Sequence, residues 1–322
     1  MAISRRDLVH LEIKNVKGLI GGESKGNGAY GAVYEVTVDG VTRIAKRLHD
    51  ILLTSDVRPS EKQGIRERFY HECLLLSKLN HPNVVEFVGV HFERVDRTDV
   101  ALIMESLHTD LEHFLDVEEH PNIPISVKLS ILLDVSSGLL YLHDQLEEPL
   151  IHRDLTTGNI LLTKDIRAKI ADLGVSKLLK NYPQGTSIQT KCPGTLAYMP
   201  PEALRENPQY GKALDIFSFG QLTLYIVNQE FPEVFDASHD STMTTALKKG
   251  ELQILKRKKW IDMLPKDHCL RDTVLHCLQD KPEKRPSIEE LSSSMKTLCV
   301  QYPKSLEDVI SAWGDKTEVG RL

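Results

Sequence analysis

The sequence predicts an α+β chain in two parts, a small β-rich lobe followed by a larger α-rich one. Three observations predict this. The first third holds β-rich runs broken by glycine, one amphipathic helix is inserted among them, and a long apolar helical pattern opens the second part near residue 126. With 322 residues, 41% of them hydrophobic, the chain can bury one large core or two smaller ones without metal or disulfide staples.

The elements follow in order. The runs Ala32 to Val38 and Val41 to Leu48 flank Asp39-Gly40, a pair that suits the positive φ of a tight hairpin. A helix is expected over roughly Glu61 to Leu79, ended by His81-Pro82-Asn83. Its Ile65, Phe69, Leu76 and Leu79 keep mostly to one face. Val84–Val90 and Val100–Met104 read as short strands. A connector near 105–109 leads to a buried helix over 126–143, where Val127, Ile131, Val135, Leu139 and Leu142 recur at helical spacing. Further helical segments are expected near 214–228 and within 268–299. Residues 303–322 are polar and read as a disordered tail. Two lobes predict a cleft between them, where ligands tend to bind.

Composition excludes some classes. A formal net charge of −6 gives no support for nucleic-acid binding. The five cysteines, Cys73, Cys192, Cys269, Cys277 and Cys299, are odd in number and have no C-x-x-C spacing. Reduced thiols in a cytosolic compartment are the expected reading. The start, MAISRRDLVHLEIK, has no apolar core for a secretory signal, and no run approaches the ~18 apolar residues of a membrane helix. The expected location is therefore cytoplasmic, with no transmembrane segment. The basic run Lys256 to Lys259, after Lys248-Lys249, reads as a solvated face.

The chemistry-bearing motifs begin with Gly26-Asn27-Gly28-Ala29-Tyr30-Gly31-Ala32-Val33. Glycines let backbone approach a phosphate closely. A strand and a D-G turn follow, where a dinucleotide fold would open a helix, which counts against NAD. No G-x-x-x-x-G-K-[ST] occurs, so the loop is not a Walker loop. Lys46 lies on the next strand. Glu72 shares the apolar face of the following helix, so its carboxylate needs a cation, for which Lys46 is the natural candidate. A Glu72 at the edge of the stripe, reaching water, is the alternative. Asp154 and Asn159 stand five apart in His152-Arg153-Asp154-Leu155-Thr156-Thr157-Gly158-Asn159, just before Ile160-Leu161-Leu162. Asp154 can accept a hydroxyl proton, and Asn159 can offer a carbonyl to a metal. Asp172, in Ala171-Asp172-Leu173-Gly174, offers a hard oxygen suited to Mg²⁺. Each alone is more commonly a turn residue.

Together and in order, these motifs resemble the eukaryotic protein kinase family over about residues 16–300. The resemblance implies the bilobal protein-kinase fold. It divides the chain into an N-terminal extension (1–15), a kinase domain (16–300) and a C-terminal tail (301–322). Within the domain it implies an N-lobe (16–104), a hinge (105–109) and a C-lobe (110–300). It implies ATP and Mg²⁺. Gly26, Asn27, Gly28 and Gly31 then belong to the loop over the phosphates. Val33 and Ala45 lie above the adenine and Leu161 below it. Lys46 holds the α- and β-phosphates and is held by Glu72. Met104 is the gatekeeper and Glu105 to Leu107 the adenine-binding hinge. Asp154 is the catalytic base, and Asn159 and Asp172 are the Mg²⁺ ligands. Glu202 in Met199-Pro200-Pro201-Glu202 pairs with Arg285, Asp215 anchors the catalytic loop, and Phe87, Leu76, Leu173 and His152 form a hydrophobic stack.

The chain also departs from the family pattern. D-F-G is D-L-G here, and A-P-E is P-P-E, both with the acidic residue kept. Thr156-Thr157-Gly158 lacks the lysine usual in serine/threonine members and does not fit the Ala-Ala-Arg or Arg-Ala-Ala that many tyrosine members carry. Gly194-Thr195-Leu196-Ala197-Tyr198-Met199 resembles the serine/threonine form. Transfer of the γ-phosphate to serine or threonine of a protein substrate is thus favoured. A tyrosine or dual-specificity kinase is the first alternative and a pseudokinase scaffold the second. Arg153 before the base suggests an upstream activating kinase acting on Thr186, Ser187 or Thr190, with Tyr182 a further loop hydroxyl, while Thr195 is expected to contact Asp154.

Overall fold

A computed structural model describes residues 4–19, 24–27, 31–48, 59–92, 100–116, 120, 123–174, 176–178, 196–204, 211–229 and 258–313. The chain divides into two compact units. One is Met1–Leu107 with Asp172–Gly174, and the other is His108–Ala171 with Val175–Leu322.

The first unit is built on a six-stranded sheet. Strands β1 (Val16–Lys17), β2 (Ser24–Asn27), β3 (Gly31–Val38) and β4 (Val41–Leu48) come first. Helix α1 (Pro59–Leu76), β5 (Phe87–Phe92) and β6 (Val100–Glu105) follow. The order across the sheet is β1-β3-β4-β6-β5, with β2 also paired to β3. Asp39 and Gly40 take φ of 50° and 85°, so the hairpin between β3 and β4 closes as the D-G pair predicts. The face formed by Val36, Val38, Ala45, Ala101 and Ile103 is buried with Leu19. Helix α1 starts at Pro59, where a missing N–H breaks no helical bond, and ends at Leu76, three residues before the expected Leu79. It buries Phe69, Cys73 and Leu76. Strand β5 begins at Phe87: Val84 closes the turn after His81 through its N–H to His81 O at 3.1 Å, and Val85, also buried, follows it outside the strand.

The N-terminal extension belongs to this unit. A 3-10 segment, Arg5–Leu11, buries Leu8 completely. Ile13 N–H then donates to Val90 O at 2.8 Å. Gly89 admits this approach because a Cβ there would stand 2.9 Å from Ile13 Cγ2.

The second unit is mostly helical. After β7 (Thr109–Asp110), Asp110 caps α2 (Leu111–Phe114) by accepting from His113 N–H at 2.8 Å. Helix α3 (Ile125–Leu140) continues into a π-helical turn, Tyr141–Gln145. Val127, Ile131, Val135, Leu139 and Leu142 are all fully buried. Contrary to the sequence expectation, Ile125–Gln145 is long and apolar enough, by length and composition, to cross a membrane. Interspersed serines, Lys128 and Asp134 hide this from a search for unbroken apolar runs. In this structure the segment is a buried core helix. Asp134 takes a bidentate bond from Arg167, at 2.9 and 2.7 Å, and one from Ala168 N–H at 2.9 Å. That fixes the turn between β9 (Ile160–Leu162) and β10 (Ala168–Ile170), which form a sheet with β7. Two short strands, β8 (Leu150–Ile151) and β11 (Lys177–Leu178), pair separately.

Helix α4 (Lys212–Asn228) is buried through most of its length. The expected 268–299 stretch holds two helices, α5 (Arg271–Cys277) and α6 (Ile288–Gln301), divided where Pro282 and Pro286 remove donors. The reading of 303–322 as a disordered tail is corrected in part, because Leu306–Trp313 forms a helix, α7. Ser305 and Asp308 cap it reciprocally, at 2.8 and 3.1 Å. Its Trp313 ring packs edge-on against Phe114 and His108, both centroids at 5.0 Å.

Candidate active site

The polar residues expected to act together fall into two groups, one in each unit. In the first unit β4 presents Lys46 and α1 presents Glu72, and the two are 2.7 Å apart. Lys46 Nζ also lies 2.8 Å from Asp172 Oδ1. Glu72 is 4% exposed, so the charge pair is largely removed from water on the glutamate side. Burial pulls the Lys46 pKa down, but the carboxylates of Glu72 and Asp172 outweigh it and hold the ammonium above the ordinary lysine range. Lys46 is therefore a fixed cation.

Asp172 sits at φ 58°, in the left-handed region, and accepts from Gly174 N–H at 3.1 Å. Gly174 is needed for closeness: a Cβ there would stand 3.0 Å from Asp172 Oδ1 and 3.2 Å from Glu72 Oε2. The Asp172 side chain remains 47% exposed.

In the second unit the His152 to Asn159 loop is held from beneath by Asp215 on α4. Asp215 Oδ2 accepts from His152 N–H at 2.8 Å and lies 2.7 Å from His143 Nε2, while Oδ1 accepts from Arg153 N–H at 2.9 Å. Arg153 takes φ 73°, a strained conformation for a side-chain-bearing residue, and this bond holds it there. Burial pushes the Asp215 pKa up, but the bond from His143 and the neighbouring N–H groups bring it below the usual carboxylate range. His152 Nδ1 accepts from Asp154 N–H at 3.3 Å, which leaves Nε2 to donate to Ala171 O at 2.9 Å. Asn159 Nδ2 donates to Asp154 O at 2.8 Å and to Asp154 Oδ2 at 3.1 Å.

These donor sets fit Mg²⁺. The Asn159 amide spends its N–H donors on Asp154, so its carbonyl oxygen is what it can offer a cation. Asp172 offers an exposed carboxylate. Both are hard oxygens, and Mg²⁺ is commonly held by one or two such groups together with substrate phosphates. Among the described residues no group of three or more His, Cys, Asp or Glu is placed to hold a metal ion.

The remaining expected residues are placed as follows. Gly26 and Asn27 lie in β2 opposite Val33 and Ala32. Gly28 lies outside the described residues. Gly31 opens β3, Val33 pairs with Lys46, and Ala45 is fully buried in β4. Met104 and Glu105 end β6, with Met104 between Ile44 and Phe87. Glu105 Oε1 accepts from Glu86 N–H at 2.7 Å, and Leu107 ends the first unit. Leu161 lies in β9 of the second unit. Of the expected stack, Phe87, Leu76 and Leu173 belong to the first unit and His152 to the second. Arg285 meets Glu202 bidentately, at 2.6 and 2.9 Å. Tyr182, Thr186, Ser187, Thr190, Cys192, Gly194, Thr195, Lys248, Lys249, Lys256 and Arg257 lie outside the described residues.

Sequence reasoning missed one set of side chains at the loop. Thr157, Tyr198 and Glu112 are hydrogen-bonded together there. Tyr198 stood in the motif that distinguishes hydroxyl classes, but nothing in the spacing shows where its hydroxyl goes.

Comparison with known proteins agrees with the motifs. The protein kinase domain model matches residues 21–295. Cysteine-rich receptor-like protein kinase 11 of Arabidopsis thaliana is 30% identical over 299 residues, covering 86% of this chain and 41% of that protein. A putative leucine-rich repeat receptor-like serine/threonine-protein kinase of the same plant is 28% identical, covering 91% of this chain and 31% of the other. Calmodulin-binding receptor-like cytoplasmic kinase 2, also from Arabidopsis thaliana, is 29% identical over 87% of this chain and 69% of its own length. The chain thus spans well under half of the first two relatives. With the family model covering most of its length, this chain belongs to the protein kinase family.

Proposed function

We propose that this chain is an active protein kinase that moves the γ-phosphate of ATP to serine or threonine hydroxyls of a protein substrate. The observation that carries the reading is that each unit keeps its polar group intact. Lys46, Glu72 and Asp172 form one ion-paired cluster, and Asp154 and Asn159 are hydrogen-bonded in the other. Phosphoryl transfer asks the protein mainly for positioning and charge neutralisation.

Lys46 holds the phosphates and Glu72 aims it. Asn159 and Asp172 would hold Mg²⁺, which would neutralise charge on the phosphate oxygens. Asp154 orients the attacking hydroxyl and takes its proton. The serine/threonine preference is supported by the Gly194-Thr195 motif and by the likeness to a leucine-rich repeat receptor-like serine/threonine-protein kinase. The relatives extend well beyond the region matched here, so substrate choice, an upstream activating kinase and further partners belong to this proposal too. A cytoplasmic location for the domain is supported by the free thiols of Cys73, Cys269, Cys277 and Cys299.

The test is phosphate transfer from ATP with Mg²⁺ to itself or to a degenerate peptide library, followed by phosphoamino-acid analysis. Phosphoserine or phosphothreonine is expected. Asp154→Asn and Lys46→Met should each lower kcat by roughly 1,000-fold or more with the circular dichroism spectrum kept. Wild-type turnover in either variant would overturn the assignment, and phosphotyrosine alone would overturn the hydroxyl class.

A further inference from the structure

The loop that carries Asp154 is fixed from α4 on its N-terminal side, through Asp215 to His152 and Arg153. On its C-terminal side stands a second post. Tyr198 lies in a 3-10 turn, Leu196–Tyr198, and is 5% exposed. This turn is tied to α4 in turn: Ser218 Oγ donates to Tyr198 O at 3.0 Å and Gln221 Nε2 to Ala197 O at 2.9 Å. The Tyr198 ring packs edge-on against Tyr225, with centroids at 5.0 Å. With ring and backbone both held, the hydroxyl has a fixed position. It lies 3.2 Å from Thr157 N and 2.9 Å from Thr157 Oγ1. Thr157 Oγ1 lies 3.3 Å from Glu112 Oε2 on α2.

The proton count fixes the direction of this chain. Among the described residues the backbone N–H of Thr157 donates to Tyr198 Oη. A carboxylate cannot donate, so the Thr157 hydroxyl proton goes to Glu112. Thr157 Oγ1 must then accept, and Tyr198 O–H donates to it. Every donor is used and each link fixes the next. Burial pushes the Tyr198 pKa up to about 12, which keeps its proton in place through the neutral range. Gly158 completes the arrangement: a Cβ there would meet Glu112 Oε2 at 3.3 Å.

We propose that Tyr198 and Thr157, with Glu112 behind them, are positioning residues for the phosphotransfer, fixing the loop on the side of Asp154 opposite the Asp215 anchor. The proposal rests on the reading of Asp154 as the base. It gives the atypical Thr156-Thr157-Gly158 run a purpose: Thr157 supplies a hydroxyl and an N–H to a buried phenol, and Gly158 leaves room for the carboxylate. The residues act through Asp154 and Asn159, so the chemical step should suffer and nucleotide affinity should not.

The test compares Tyr198→Phe, Thr157→Val, Thr157→Ser and wild type in full-length protein, with kcat, KM for ATP and melting temperature measured for each. Tyr198→Phe and Thr157→Val are expected to lower kcat about 10-fold or more with KM for ATP within about twofold. Thr157→Ser, which keeps the hydroxyl, should restore most of the rate lost in Thr157→Val. A purely structural role would instead lower the melting temperature and leave the kcat of the folded fraction intact, and that result overturns the proposal. Unchanged kcat in Tyr198→Phe overturns it while leaving the kinase reading standing. An inert wild type would overturn both, so the two failures are distinguishable.

Discussion

The two polar groups of this kinase are held by different physics. Asp172 is fixed by charge. Its Oδ1 accepts from Lys46, and Lys46 is in turn pinned by the buried Glu72. The loop of Asp154 is fixed by backbone, through two main-chain N–H groups bonded to a carboxylate that is itself fully buried. The contrast teaches what each arrangement is for. A cation held between carboxylates can shift to share its charge with an arriving phosphate. A loop bonded through its main chain cannot shift without leaving donors unsatisfied. On the proposed function, the adaptable half suits a phosphate that comes and goes, and the rigid half suits Asp154 acting as a base that must stand in one place.

The largest expected effect tests the rigid half. Asp215→Ala leaves the N–H groups of His152 and Arg153 without acceptors and empties a fully buried site. We expect a loss of about 3–5 kcal/mol of stability and at least a ~100-fold fall in kcat. Thermal melting and turnover measure the two. The folded-state pKa of Asp215 lies below the ordinary range. Its contribution is therefore present above the unfolded carboxylate pKa and lost as pH falls through the lower folded value. Asp215→Ala should accordingly differ most from wild type at neutral pH and converge with it in strong acid.

Glu72→Gln tests the adaptable half and should separate activity from stability. The amide keeps the shape and can still accept from Lys46, but it removes a buried negative charge. Turnover should fall about 10–100-fold, with melting shifted by no more than a few degrees. Equal stability losses in Asp215→Ala and Glu72→Gln would break the distinction drawn here.

Legibility from sequence follows the same divide. Glu72 was readable because a carboxylate on an apolar helix stripe demands a cation. The hairpin was readable because Asp39-Gly40 suits positive φ. Asp154, Asn159 and Asp172 were readable as a motif in order. What stayed hidden depends on chain segments meeting far apart in sequence. Tyr198 reaches Thr157 across 41 positions, and no spacing rule encodes that. Ile13 read only as part of an N-terminal extension, because the absent Cβ of Gly89, which shows where it fits, lies 76 positions away. Helix α7 did leave a signal, Ser305 and Asp308 in capping spacing ahead of Val309, Ala312 and Trp313, but the polar surroundings masked it.

That helix supplies a smaller test in the rigid unit. Trp313 Nε1 donates to Lys164 O at 2.9 Å, and its ring lies against the fully buried Phe114. Trp313→Ala should cost about 2 kcal/mol in a denaturant melt, at the low end for a large aromatic because the ring is only partly buried. Turnover of the folded protein should stay within about twofold. A rate loss out of proportion to the stability loss would mean that the contact with His108, just past the end of the first unit, matters for catalysis.

The smallest effect concerns a buried charge whose partners among the described residues at hydrogen-bond distance are neutral. Lys128 on α3 is 9% exposed and donates to Val227 O and Gln229 Oε1, both at 3.1 Å, both neutral acceptors. Burial lowers its pKa to about 8. Between that value and the ordinary lysine pKa the unfolded chain binds the extra proton, so stability rises with pH through this window. Below about 8 the ammonium is charged in both states, and the folded state carries the burial penalty. Lys128→Met removes the titration. The stability of wild type relative to the variant should therefore climb by on the order of 1 kcal/mol as pH is raised from 7.5 to about 10, where other groups cancel in the difference. Parallel profiles for the two proteins would show that Lys128 is charged in the folded state throughout. The rigid unit would then be solvating that ammonium as well as the first unit holds Lys46, and the contrast between the two units would narrow to the backbone anchors alone.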